Sequence, residues 1–245
     1  MLLKKYPIKK QILLILLTFS CGLPLHAQIS ASYSAGYGSY HMGGMKDQLE
    51  RHLHSVQGQI PGIPFEIVDN FPAYITHNAN VSYRIKRHEM GLQGSYLTTG
   101  GRIAYSDYSG EYSAEYTLYA YRLGIYYRFY IPLIKSGEQE KLHFFLEISP
   151  GILFNNFKAD EYIRIFEESN SPEEDVKMKA LGFSALPQIG FKWDINPYIG
   201  LFVSGGLDLT FSSNFKSGTN KSYLDADWTG IRAQGGVIFT LPSKK

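Results

Sequence analysis

Between Tyr119 and Ile131 the chain reads YAYRLGIYYRFYI, with Tyr, Leu, Ile, Tyr, Phe and Ile on the odd positions while Arg122 and Arg128 fall on even ones. A period of two is the mark of a pleated strand, whose successive side chains leave on opposite faces. The same alternation, bounded by turn residues, predicts eight strands at about 29–40, 77–87, 88–106, 111–131, 141–155, 179–193, 198–212 and 228–241. Several exceed the roughly 9–11 residues a tilted strand needs to cross a bilayer. Strands of soluble proteins are mostly shorter.

The connections fall into two sets. Residues 86–88, 132–141 and 194–197 are short or moderate, whereas 41–76, 156–178 and 213–227 are long and polar; 106–111 is a short loop on the long-loop side. Short turns on one rim and long loops on the other are how barrels that span a membrane are built. The first long loop holds two further patterns. Met45 to Val56 reads as a short amphipathic helix with Leu49, Leu53 and Val56 on one side, capping the barrel mouth, and 65–75 could pair as extra strand, so ten strands stay open beside eight.

Each strand has one oily face and one sparse face. From Leu142 the first reads Leu, Phe, Leu, Ile, Pro, Ile, Phe, and the second His143, Phe145, Glu147, Ser149, Gly151. A solvated exterior carries roughly 25–35% charged residues, and these second faces hold one or two ionic groups per strand. They suit the narrow interior of a barrel of about eight strands, which side chains fill. The arginines therefore point in and the oily face is an outer belt. Its aromatics form two girdles, Tyr127, Phe144, Trp193 and Phe239 at the short-turn rim and Tyr37, Tyr119, Phe154 and Phe211 at the other. The alternative is a lipocalin-like soluble barrel with the oily face inside; long strands and the poorly charged second face argue against it.

The ends agree with export. MLLKKYPIKK and the apolar run QILLILLTF make a secretory signal peptide over residues 1–27, cleaved after Leu25-His26-Ala27, which leaves 28–245 as the barrel domain. Without it the balance is 20 Lys and Arg against 22 Asp and Glu, so the +2 of the whole chain belongs to the targeting segment. No basic patch suggests nucleic acid. Cys21, the only cysteine, lies in the signal region; its lipidation is the rival to cleavage at Ala27.

With its signal peptide, eight amphipathic strands and last strand GIRAQGGVIFTLPSKK, the chain resembles the small outer-membrane β-barrel proteins of Gram-negative bacteria, particularly porin-like and PorT-type barrels. The resemblance covers nearly all of 28–245 and implies an all-β, single transmembrane antiparallel up-and-down barrel in the outer membrane. It implies a fold and a place more than a job. Phe239 and Leu241 resemble the terminal signal read by the barrel-assembly machinery, although Pro242-Ser243-Lys244-Lys245 trails behind them. Outer-membrane lipid and lipopolysaccharide are the implied surroundings.

Candidate chemistry lies mainly in the lumen, at Arg84, Glu89, Arg122, Arg128, Glu147, Lys192, Asp208 and Arg232, with Gln93, Gln188 and Gln234. Enclosed charges must be paired or wet. They form either a salt-bridge plug or a gated polar path with Glu147 and Arg122 as its movable pair. Catalysis has weaker support: His52-Leu53-His54-Ser55 lies in the loop helix, and His88-Glu89 lacks the second His of a zinc site, so no catalytic residue, cofactor or metal is assigned. The loop KADEYIRIFEESNSPEEDVKMK is acidic, at Asp160, Glu161, Glu167, Glu168, Glu173, Glu174 and Asp175; it reads as solvated, with cation bridging to lipopolysaccharide phosphate or a basic protein partner as the functional alternative. The expected role is a non-enzymatic structural or interaction module with long extracellular loops. A lipid-modifying enzyme and a component of a secretion or assembly apparatus are the alternatives.

Overall fold

The computed structural model describes residues 28–108, 110–136, 139–165, 168–170, 176–211, 214–217 and 220–241. Residues 1–27, expected as a signal peptide and holding Cys21, the acidic residues Glu167, Glu173, Glu174 and Asp175, and Pro242-Ser243-Lys244-Lys245 lie outside them.

Eight antiparallel strands close into a ring: β1 (Gln28–Tyr40), β3 (Tyr74–Ile85), β4 (His88–Ser106), β5 (Gly110–Ser136), β6 (Gln139–Ile165), β8 (Val176–Asp194), β9 (Ile199–Phe211) and β12 (Gly230–Leu241). Every ring strand pairs with its sequence neighbour, and β1 pairs with β12 from Ile29↔Leu241 to Tyr40↔Gly230. Closure leaves no unpaired edge along the belt, where an unmet backbone group in hydrocarbon costs several kcal/mol. Pairs β2 (Glu66–Asn70) with β4, β7 (Glu168–Asn170) with β6, and β10 (Asn214–Ser217) with β11 (Asn220–Asp225) are additions at the long-loop end. The pattern in 65–75 is thus a short strand laid on β4 outside the ring, and the barrel count is eight.

Oily side chains face outward. Leu123, Ile125, Leu181, Phe183 and Val203 are more than half exposed, while Arg122 and Arg128 on the same β5 as Leu123 are sealed at 0% and 1%. A soluble barrel with an apolar cavity is excluded by this inversion. All eight girdle aromatics lie on the outer face: Trp193, Phe211 and Phe239 are each 55% exposed, Phe144 packs on Phe191, and Tyr119 meets Tyr121 edge-on.

Two expected loops are sheet instead. β5 and β6 run 27 residues each and remain paired from Gly110↔Ile165 to Ser136↔Gln139, so 132–136, 139–141 and 156–165 are strand. For 156–165 the reason lies in the partner that the inner faces of β5 and β6 find at the long-loop end. Helix α1 (Gly43–Gln59) buries Met45, Leu49 and Val56 in one cluster with Tyr112, Ala114, Tyr116 and Leu118 of β5 and Leu153 and Phe157 of β6. Local polarity suggested loop, but a remote helix supplies the apolar surface that keeps this extension paired. The strand expected from 228 starts at Gly230, because Trp228 turns inward and is fully buried.

Candidate functional site

The interior has two layers. Toward the short turns it is polar, and toward the long loops it is an apolar cap made by α1 and its partners. Glycine sets the space in the polar layer: a Cβ on Gly190 would fall 2.5 Å from the Phe145 ring, and one on Gly151 would fall 3.1 Å from the Arg122 guanidinium carbon.

Arg128 lies at the centre of the polar layer because register sets it directly opposite Glu89 on β4 and Glu147 on β6. Its Nε donates to Glu147 at 2.6 Å, and one terminal amino group reaches Glu89 at 3.2 Å and the Tyr130 hydroxyl at 3.0 Å. Tyr126 and Tyr130 each donate to Glu89, at 2.7 and 2.9 Å, and the Phe145 ring packs 4.5 Å from the guanidinium carbon. From Glu147 the path continues through Gln188 (2.9 Å), Gln234 (2.9 Å), Asn78 (2.6 Å) and Arg232 (3.1 Å) to an ion pair with Asp208 at 2.6 Å. The lumen is therefore crossed by one continuous chain of polar contacts, every member of it buried.

The expected Glu147–Arg122 pair is not formed. Arg122 stands opposite Ser95 and Leu153, and its guanidinium bonds neutral groups: Gln93 at 2.5 Å, Ser184 at 2.7 Å, and the hydroxyl (3.0 Å) and carbonyl of Ser149. Arg84 and Lys192 also depart from the expected network, since they lie at its short-turn end. The Arg84 guanidinium is half-buried 4.2 Å above the Tyr130 ring, and Lys192 pairs with Asp194 at 3.0 Å. Left out of the candidate network were Asn78, Tyr126 and Tyr130, and also Ser149 and Ser184, which the alternation placed on the inward face without giving them a part in it. Their signal was present, because each falls on the inward register of a strand already read as alternating.

In the cap, Trp228 donates from Nε1 to Asn155 at 2.7 Å and meets Tyr40 edge-on at 4.9 Å. His52 of α1 lies between two tyrosines, with Nδ1 2.7 Å from the Tyr116 hydroxyl and Nε2 3.3 Å from that of Tyr112, which itself donates to Glu161 at 3.0 Å. Since Tyr112 gives its proton to Glu161, Nε2 carries the hydrogen and Nδ1 accepts from Tyr116. Burial, and then Glu161, hold the Tyr112 phenol above its usual range, so it stays a donor. The histidine thus ties helix to wall, and His54 is exposed on the other side of the helix. Among the described residues no group of three or more His, Cys, Asp and Glu side chains is arranged to hold a metal ion.

Asp225 closes over the start of α1, where a Cβ on Gly44 would fall 2.0 Å from its Oδ1. Burial first, and the nearby Asp227 carboxylate next, raise the Asp225 carboxyl above its usual range; His41 opposes this, and Asp47 adds to it. The folded cap then holds a proton that the unfolded chain releases, so its stability falls as pH rises from the ordinary carboxylate range through the raised value. Asp225→Asn should increase hydrogen-exchange protection of α1 at pH 7 and leave it unchanged at pH 3. An equal gain at both pH values would show that charge is not the cause.

A closed ring of eight strands, an apolar outer belt with aromatic rims and a sealed polar interior define a small outer-membrane type of β-barrel. Among solved structures the chain is similar to Neisserial surface protein A (NspA), with 9% identity, a TM-score of 0.38 and coverage of 90% of this chain and 98% of that one. It is similar to Ail, the attachment invasion locus protein of Yersinia pestis in complex with the heparin analogue sucrose octasulfate, at 14%, 0.37, 87% and 99%. The translocator domain of autotransporter NalP from Neisseria meningitidis gives 9%, 0.30, 95% and 95%. Such scores add no weight of their own, and the class rests on ring and faces. No family model matches the chain, and no curated protein matches it.

Proposed function

We propose that the chain is exported, loses residues 1–27 and serves in the outer membrane of a Gram-negative bacterium as a non-enzymatic structural and interaction module, with its long-loop end outside. One observation carries this reading: β4, β5 and β6 continue as ordered sheet past the apolar belt with α1 as their core, while the lumen below them is filled. An ordered projection over a blocked channel suits contact rather than conduction. Lipid and lipopolysaccharide surround the belt, the barrel-assembly machinery reads the last strand, and a protein partner would meet the projecting sheet. In planar bilayers the purified protein should give small or no conductance, and its unheated form should migrate apart from the heated one on a detergent gel. Large steady pores would contradict the filled lumen. Lipid A and peptide hydrolysis should be undetectable, and an activity lost on changing His54 or His143 would overturn the non-enzymatic reading.

A further inference from the structure

The polar chain ends at Tyr130, and beyond it a cavity of about 490 Å³ opens at the short-turn end. From its lining we infer that this vestibule binds a small polyanion carrying phosphate or carboxylate groups. Four cations, Arg84, Lys86, Lys141 and Lys192, line it against two carboxylates, Glu140 and Asp194. Asp194 is already engaged, by Lys192 at 3.0 Å and by Nε2 of His143 at 3.1 Å. Among the described lining residues three cations then stand against one further carboxylate, Glu140.

The site is built rather than merely charged. Arg84 is held by donation of its Nε to the Lys86 carbonyl at 2.9 Å and by the Tyr130 ring beneath it, and Tyr130 is fixed in turn by Glu89 and Arg128. Among the described residues neither terminal amino group has a hydrogen-bond partner, so both remain for an oxyanion, which a guanidinium fork grips in two parallel bonds. His143 supplies a second, independent sign. Its side chain is 3% exposed and lines the cavity, yet Nδ1 has no hydrogen-bond partner among the described residues, the Glu140 carboxylate being 4.0 Å away. Buried polar atoms are rarely left unpaired, and a hydroxyl of a hydrogen phosphate or hydroxy acid in the vestibule would meet it. A volume of this size matches small-molecule sites of about 300–1,000 Å³. The Arg128 layer closes the inner end, so the vestibule is a cup and the anion does not pass through.

Titration calorimetry on the folded barrel in a zwitterionic detergent, with pyrophosphate in one arm and citrate in the other, tests this at constant ionic strength. Saturable one-to-one binding of at least one is expected, and the stronger arm assigns phosphate or carboxylate. Arg84→Gln should weaken it about ten-fold or more, the loss expected for a charge-assisted hydrogen bond, with Lys141→Gln weaker in effect and Arg51→Gln, at the opposite end, without effect. The gel shift verifies that each variant is folded. No saturable heat with either anion, or binding that Arg84→Gln and Lys141→Gln leave intact, would overturn the assignment.

Discussion

Arg128→Met should lower the unfolding free energy of the barrel by about 3–5 kcal/mol, the usual cost of breaking a buried ion pair from one side. The cost comes less from the bonds removed than from what remains. Glu89 and Glu147 are both buried, and they would face each other across a ring of Tyr126, Tyr130, Phe145 and Phe202 with no cation between them. Urea titration of refolding into detergent or lipid, followed by the heated and unheated gel forms, reads the loss as a lower midpoint. Arg128→Lys should fall between, because a single ammonium cannot bond both carboxylates in a planar fork. Adding Glu89→Gln and Glu147→Gln to Arg128→Met should restore most of the stability, since neutral amides need no counter-charge. If Arg128→Met alone costs less than about 1 kcal/mol, the range of an exposed pair, the ion layer is not what fixes the lumen.

The other large effect is in the cap. Trp228→Ala should cost about 3–5 kcal/mol, as large-to-small changes at buried aromatics do. It removes the ring at the contact with Tyr40 and the donor that satisfies Asn155, beside Met45 and Leu49 of α1. Trp228→Phe separates these contributions: the ring stays, Asn155 Oδ1 loses the bond from the indole, and about 1–3 kcal/mol is lost. The damage should be local, because regions of a fold open with their own free energies. Protease added from the long-loop side should cut within residues 43–59 of Trp228→Ala much faster than in the parent, while the gel shift persists. Loss of the shift together with the helix would show that cap and barrel unfold as one unit.

These two sites differ in how far the chain announces them. The arginine at 128 was legible as a lumen residue from alternation alone, since strand geometry sends every second side chain to the same face. Its partners were not. Pairing Arg122 with Glu147 is reasonable from composition, but register sets Arg128 opposite Glu147 and leaves Arg122 among serines and Gln93. Trp228 looked like the first residue of a strand, and nothing local marks it as the centre of a core assembled from β1, α1, β5 and β6.

The amino-acid order determined the face each strand side chain takes and the helix in the first loop, because a period of two or of 3.6 is a property of neighbouring residues, while the choice between eight and ten strands waited on pairing. Tertiary structure alone decided which charges meet, that 156–165 stays in the sheet, and that Tyr130 links the ion layer to the vestibule. Those outcomes depend on register and on surfaces supplied by distant segments, and a slip of one residue in pairing would change every contact without altering the pattern that the chain displays.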